Sequence, residues 1–250
     1  MSAFSYSQEI KKNTSSIGIF GIIGNSNHSS NIIDDDLPEL NYCCPNFKKG
    51  NGFSWEFGAS IRLPITRDIS LNVRPSIRDI SGILTNKESL ERVNVNGKPE
   101  VGFSNHTLDT QILTGGMTFL LSYEPIYLIN INLGLRYSYI LNAGFSYKES
   151  IVSPANAIFV ENGTKTRNRQ DGNFSNLNKH LFSTEMSISY GIPLNNQESK
   201  LIVPEIYYSI GMSDLIKNID WNIDFLGIGL SYIYKFRNKT NLNSSPIKPD

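Results

Sequence analysis

From Phe53 onward the large apolar side chains fall on every second position: Phe53, Trp55, Phe57, Ala59, Ile61 and Leu63, with Ser54, Glu56, Gly58, Ser60 and Arg62 between them. A period of two is the signature of a β-strand with one apolar face. After Pro64-Ile65-Thr66-Arg67-Asp68, a turn-forming run, the same alternation resumes with Ile69, Leu71, Val73, Pro75 and Ile77 against Ser70, Asn72, Arg74, Ser76 and Arg78. The two segments predict a hairpin. The pattern recurs at Leu113–Tyr123 and Ile129–Leu141 around Glu124-Pro125-Ile126, and at Phe182–Tyr190 and Pro204–Met212 around Pro193-Leu194-Asn195-Asn196. A last strand carries Leu226, Ile228, Leu230, Tyr232, Tyr234 and Phe236 on one face, and an apolar opening segment, Ser16–Ile23, brings the expected number to eight. Helical periodicity is confined to Lys87–Val93, which predicts a helical turn or two.

Tight turns alternate with long polar segments at 24–51, 80–107 and 147–177 and a shorter one at 213–220. Such lengths are foreign to the inside of a compact soluble domain. They suit a transmembrane barrel, whose short turns lie at one end and long loops at the other. The predicted fold is therefore all-β, a closed antiparallel up-and-down barrel over residues 16–236. It is flanked by an N-terminal segment, 1–15, read either as a mature start or as the remnant of a signal peptide, and by a polar tail, 237–250.

Side-chain size indicates which face is outside. The polar face is rich in Gly, Ser and Asn, which suits the narrow interior of an eight-stranded barrel better than a water-facing surface. Its charges, Glu56, Arg62, Arg74, Arg78, Arg136, Glu185, Glu205 and Lys235, have both signs and are expected to pair across the lumen, since a lone buried charge costs several kcal/mol. Aromatic residues gather near strand ends: Phe53, Trp55, Tyr139, Phe182 and Trp221 towards the long segments, Tyr123, Tyr127, Tyr190, Tyr234 and Phe236 towards the tight turns. Two such girdles are expected at membrane interfaces. A tilted strand of about eleven residues rises roughly 27 Å, close to the apolar band of such barrels.

Charge and composition then exclude other classes. Twenty-three Lys and Arg balance 23 Asp and Glu, so no basic excess attracts nucleic acid. The longest run of apolar residues and glycine, Ile17–Gly24, is too short for a membrane-spanning helix. Two cysteines and the scattered His28, His106 and His180 imply no metal site, and no cofactor motif is present.

With Cys43-Cys44-Pro45 in the first long segment, Asn51-Gly52-Phe53-Ser54 opening the second strand, and a final strand ending Tyr234-Lys235-Phe236, the chain resembles the outer-membrane β-barrel proteins of Gram-negative bacteria, in the small class of the outer-membrane protein A transmembrane domain. The resemblance covers about Ser16 to Phe236. It implies an outer-membrane location with both termini periplasmic, the lipid bilayer as surroundings, the barrel-insertion machinery as a partner during assembly, and no cofactor. In many relatives a peptidoglycan-binding domain follows the barrel, whereas Arg237–Pro249 is too short to be one.

Several motifs invite chemistry, and each also has a plainer role. Cys43 and Cys44 are candidates for a vicinal disulfide, for a bond to another chain, or for inert loop thiols. Asp34-Asp35-Asp36 reads as a solvated charge run sooner than a cation site. His180, Ser183 and Glu185 suggest a hydrolase, yet period two sets His180 on the opposite face from the other two, so no catalytic residue is assigned. Asn105-His106-Thr107 and Asn162-Gly163-Thr164 match a glycosylation pattern, which in a bacterial barrel is Asn-rich loop composition. The expected function is a non-enzymatic membrane scaffold presenting surface loops to an unidentified partner. The alternatives are a narrow anion-biased channel and, outside the membrane, a secreted lipocalin-like binder with its apolar face inward.

Overall fold

The computed structural model describes residues 14–32 and 46–236. Their strands are β1 (Ser16–Ile32), β2 (Phe47–Pro64), β3 (Ile69–Asp79), β4 (Gly82–Val95), β5 (Lys98–Ile126), β6 (Ile129–Ser153), β7 (Thr166–Asn173), β8 (His180–Tyr190), β9 (Ile192–Pro193), β10 (Lys200–Gly211) and β11 (Trp221–Lys235). Pairing is antiparallel throughout and runs in a circuit: β1 to β2, β2 to β3, β3 to β5, β5 to β6, β6 to β8, β8 to β10, β10 to β11, and β11 back to β1. Because β3 continues into β4, and β7 through β8 into β9, the segments form eight staves of a closed barrel. Closure leaves the ring no unpaired edge, which is the condition for a sheet to sit in hydrocarbon.

The outer surface carries an apolar belt. Ile17, Ile19 and Ile23 of β1, Phe57 and Ile61 of β2, Leu133 and Leu135 of β6, and Leu226, Ile228 and Leu230 of β11 are all exposed there, while Ser54, Ser60, Thr118, Asn132, Ser187 and Ser231 are buried inside. This arrangement is the reverse of a soluble binder's. Above the belt the outward positions become polar at one level: Ile23 gives way to Asn25, Phe53 to Asn51, Leu113 to Gln111 and Leu141 to Asn142. Where two staves approach most closely the interior tolerates only glycine. A Cβ on Gly134 would stand 1.8 Å from the Phe119 carbonyl oxygen.

Beyond the belt the strands continue further than the sequence pattern predicts. Residues 80–107, expected as a loop, are mostly β4 and the start of β5, joined at Asn96-Gly97. Both turn residues have positive φ, 52° and 85°, the backbone of a type I′ hairpin turn that Asn-Gly favours. Lys87–Val93 lies in β4 and is not helical. Residues 24–32, 147–153 and 166–173, also expected as loop, are strand. The hairpins β4–β5 and β6–β7 thus make a four-stranded sheet standing roughly 30 Å above the belt, taking about thirteen residues of tilted strand.

Inside this projecting part the chemistry inverts. A bulge leaves Leu141 without an opposite residue, as the pairing steps from Thr114↔Ile140 to Leu113↔Asn142. Odd positions of β6 face outward before the bulge and inward after it, so Phe145 and Tyr147 enter the core. They join Ile32, Phe47, Leu84, Leu108, Ile112, Phe174 and Trp221 in the largest buried apolar cluster of the described residues. The 1–13 segment, the 237–250 tail, Asp34–Asp36, and Cys43 and Cys44 lie outside the described residues.

Candidate functional site

The barrel interior is stratified, and each layer can be traced to inward positions of particular strands. At the turn end, Leu128, Leu201, Val203 and Ile233 form a small apolar floor. Arg62 reaches from β2 to donate to Asn130 Oδ1 at 3.0 Å. Lys235 lines the same floor region as Arg62 and Glu124.

The middle layer is ionic. Arg74 Nη1 donates to both carboxylate oxygens of Glu205, each at 3.1 Å, and its guanidinium lies over the Phe20 ring at 4.9 Å. One level higher, Arg78 Nη2 is 2.8 Å from Glu56 Oε2, and Arg78 Nη1 is 3.3 Å from Glu185 Oε1. Arg136 Nη1 donates to Glu56 Oε1 at 2.8 Å, so one carboxylate bridges two arginines. Tyr207 and Ser209 accept further bonds from Arg78, and the Ser183 and Ser209 hydroxyls donate to Glu185. Glu56, Arg74, Arg78, Arg136, Glu185 and Glu205 are all buried. Pairing at this density is what buried charge requires, since each ion has lost its water.

The top layer is apolar and lies outside the alternating pattern of the strands. The segment between β10 and β11 folds inward, burying Leu215, Ile216 and Ile219. It is held by Asn178 N donating to Leu215 O, Leu215 N to Trp221 O, and Trp221 N to Asp214 Oδ1. Trp221 is 0% exposed and is not an interface aromatic. Its position has the same parity as Gly227 and Ser231, which turns it into the lumen, where it packs edge-on against Phe174 and donates through Nε1 to His28 Nδ1 at 3.2 Å. Tyr127 also departs from the expected girdle. It sits half-buried in the β5–β6 turn, packs on the apolar floor, and donates its hydroxyl to Glu198. Phe53, Trp55, Tyr123, Tyr139, Phe182, Tyr190, Tyr234 and Phe236 are exposed on the outer surface.

A second polar cluster lies above the membrane belt, on the concave side of the projecting sheet. His106 Nδ1 is 2.7 Å from the Tyr147 hydroxyl, and His106 Nε2 is 3.2 Å from Glu88 Oε2. Glu149 accepts from Arg167 Nε at 2.7 Å and Nη2 at 3.0 Å and from Asn168, and Arg167 also pairs with Glu161 and lies over Phe159. Burial alone would raise the Glu149 pKa, but Arg167 outweighs it and holds the carboxyl below the usual range. Burial, with Glu149 and Glu88 nearby, pushes the Tyr147 phenol up. The signal that could have revealed this cluster is Asn96-Gly97, which predicts the hairpin carrying Glu88 and His106.

The His180, Ser183 and Glu185 trio is split between two faces. His180 is exposed outside, 2.7 Å from the Tyr137 hydroxyl, while Ser183 donates to Glu185 inside at 2.6 Å. Among the described residues, no group of three His, Cys, Asp or Glu side chains is placed to hold a metal ion.

No protein-family model and no curated protein matches the chain. Solved structures with a similar strand arrangement include Neisserial surface protein A, at 12% identity and a TM-score of 0.43, covering 88% of this chain and 97% of that one. Others are the attachment invasion locus protein Ail of Yersinia pestis (12%, 0.32, covering 89% and 99%) and the outer membrane protease OmpT from Escherichia coli (10%, 0.38, covering 90% and 98%). The assignment of this chain as a membrane β-barrel rests on its own closed pairing and apolar exterior.

Proposed function

We propose that the chain is a non-enzymatic integral outer-membrane barrel of a Gram-negative bacterium, a scaffold that holds the β4–β7 sheet at the cell surface for adhesion or partner binding. One observation carries this reading: the ionic layer and the apolar cap fill the lumen one above the other, beneath a sheet that projects far beyond the belt. A barrel filled in this way has no use as a conduit, and its outlay in structure goes into the projection. The turns, and with them both ends of the barrel, are then periplasmic. The surrounding lipid is the permanent partner, and the insertion machinery is a transient one.

A narrow channel would need Arg62, Arg74, Arg78 and Arg136 to line an open path. Three of them are instead bound to carboxylates across the lumen, Arg74 to Glu205, Arg78 to Glu185 and Arg136 to Glu56. Planar-bilayer recording of the purified full chain tests the scaffold reading. The expected trace is flat, and steady, reproducible single-channel steps would overturn a filled lumen. Topology is tested by epitopes inserted at Asn96-Gly97 and at Thr66-Arg67. Antibody should reach the first on intact cells and the second only after the outer membrane is permeabilised; the opposite result would reverse the orientation.

A further inference from the structure

Between the ionic layer and the apolar cap lies a cavity of about 40 Å³. That is room for a small ion or a water or two. Its polar lining is lopsided: two guanidiniums, Arg78 and Arg136, border it together with several hydroxyls, and no carboxylate does. Arg136 is 1% exposed, and its Nη2 has no hydrogen-bond partner.

The hydroxyls add to this excess of donors. Ser138 Oγ accepts from Arg136 Nε at 2.8 Å and Ser213 Oγ accepts from the Phe182 amide at 3.0 Å, which leaves each hydroxyl hydrogen to point elsewhere. Ser183 and Ser209 turn theirs to Glu185, and Thr114 turns its own to the Arg78 carbonyl. The groups best placed to bond into the cavity are therefore the Arg136 Nη2 hydrogens and the Ser138 and Ser213 hydroxyls, each of which still has a hydrogen to offer. The Arg78 and Arg136 charges are already balanced by Glu56 and Glu185, but a buried donor left unmet is costly, and a compact anion in the cavity would meet it with a charge-assisted bond. We propose that the cavity is a binding site for one small inorganic anion of the halide class, seated on Arg136 Nη2, Ser138 and Ser213. Larger organic anions do not fit the volume.

Bromide serves as the probe. Crystals of the full chain in detergent, grown with sodium bromide and measured at the bromine absorption edge, should give an anomalous peak in this cavity within about 3.5 Å of Arg136 Nη2. Water density there without anomalous signal overturns the site. In solution, the thermal unfolding midpoint should rise when sodium chloride replaces sodium gluconate at equal ionic strength, because an ion that binds only the folded state stabilises it. The rise should shrink in Ser213→Ala and vanish in the Ser138→Ala, Ser213→Ala pair, both of which keep every guanidinium and carboxylate. Equal midpoints in the two salts, or an undiminished rise in the pair, would also overturn the proposal.

Discussion

Glu56 shows how much one side chain carries in this interior. Its two oxygens receive Arg78 and Arg136, and Ser76 donates to it as well. Glu56→Gln keeps the shape but leaves two buried guanidiniums to share Glu185. The expected loss is about 3–5 kcal/mol of unfolding free energy, read from urea titration of the folded barrel in detergent. Trp221→Ala removes the largest fully buried side chain from the apolar cap and should cost a similar amount, about 3–5 kcal/mol, through the cavity it leaves. An interface aromatic would cost far less, so the same titration separates the two placements of this residue. Glu149 gives a pH prediction. Its folded carboxyl is held below the ordinary value, so its contribution is complete above that value and is lost as pH falls through the lowered one. Protease resistance of the 154–165 segment should therefore decline in acid, and Arg167→Met should flatten the decline.

At the scale of single strands, the belt was legible and the projection was not, for one physical reason. Alternation identifies a strand only while its phase holds. From Ile129 to Leu141 the phase is unbroken and every face reads correctly, but the bulge at Leu141 reverses it, and a count of odd and even positions cannot register one inserted residue. In β4 a second irregularity between Leu90 and Val93 brings two residues three apart onto the same inner face, which imitates helical spacing. That coincidence explains why Lys87–Val93 reads as helix when its ladder with β5 makes it strand. The charged interior residues were legible because they lie where the phase is intact. The cap was not, because Leu215, Ile216 and Ile219 reach the lumen on a turn with no period at all. Deleting Asn142 removes the extra residue and should give β6 one unbroken phase in which Phe145 and Tyr147 still face inward. The expected result is a projecting sheet as resistant to protease as the parent's; a sheet opened to protease would show that the bulge does more than set the phase.

For the whole molecule, the layered interior predicts that the two seals act independently. Replacing 214–219 by a short Gly-Ser linker should lower stability yet leave bilayer recordings flat, since the ionic layer beneath remains. Adding Arg78→Ala and Glu185→Ala to that variant should bring measurable conductance. Current from the linker variant alone would mean that the cap, and not the charges, stops ions.

The ring is fastened where β1 meets β11, fifteen residues of each in register. The barrel's own first and last strands are thus neighbours, and the older waits for the younger. Synthesis order gives this architecture no stable halfway stage: until the final strand arrives, two raw margins of peptide face whatever medium holds them, and the fold becomes complete in a single act of fastening.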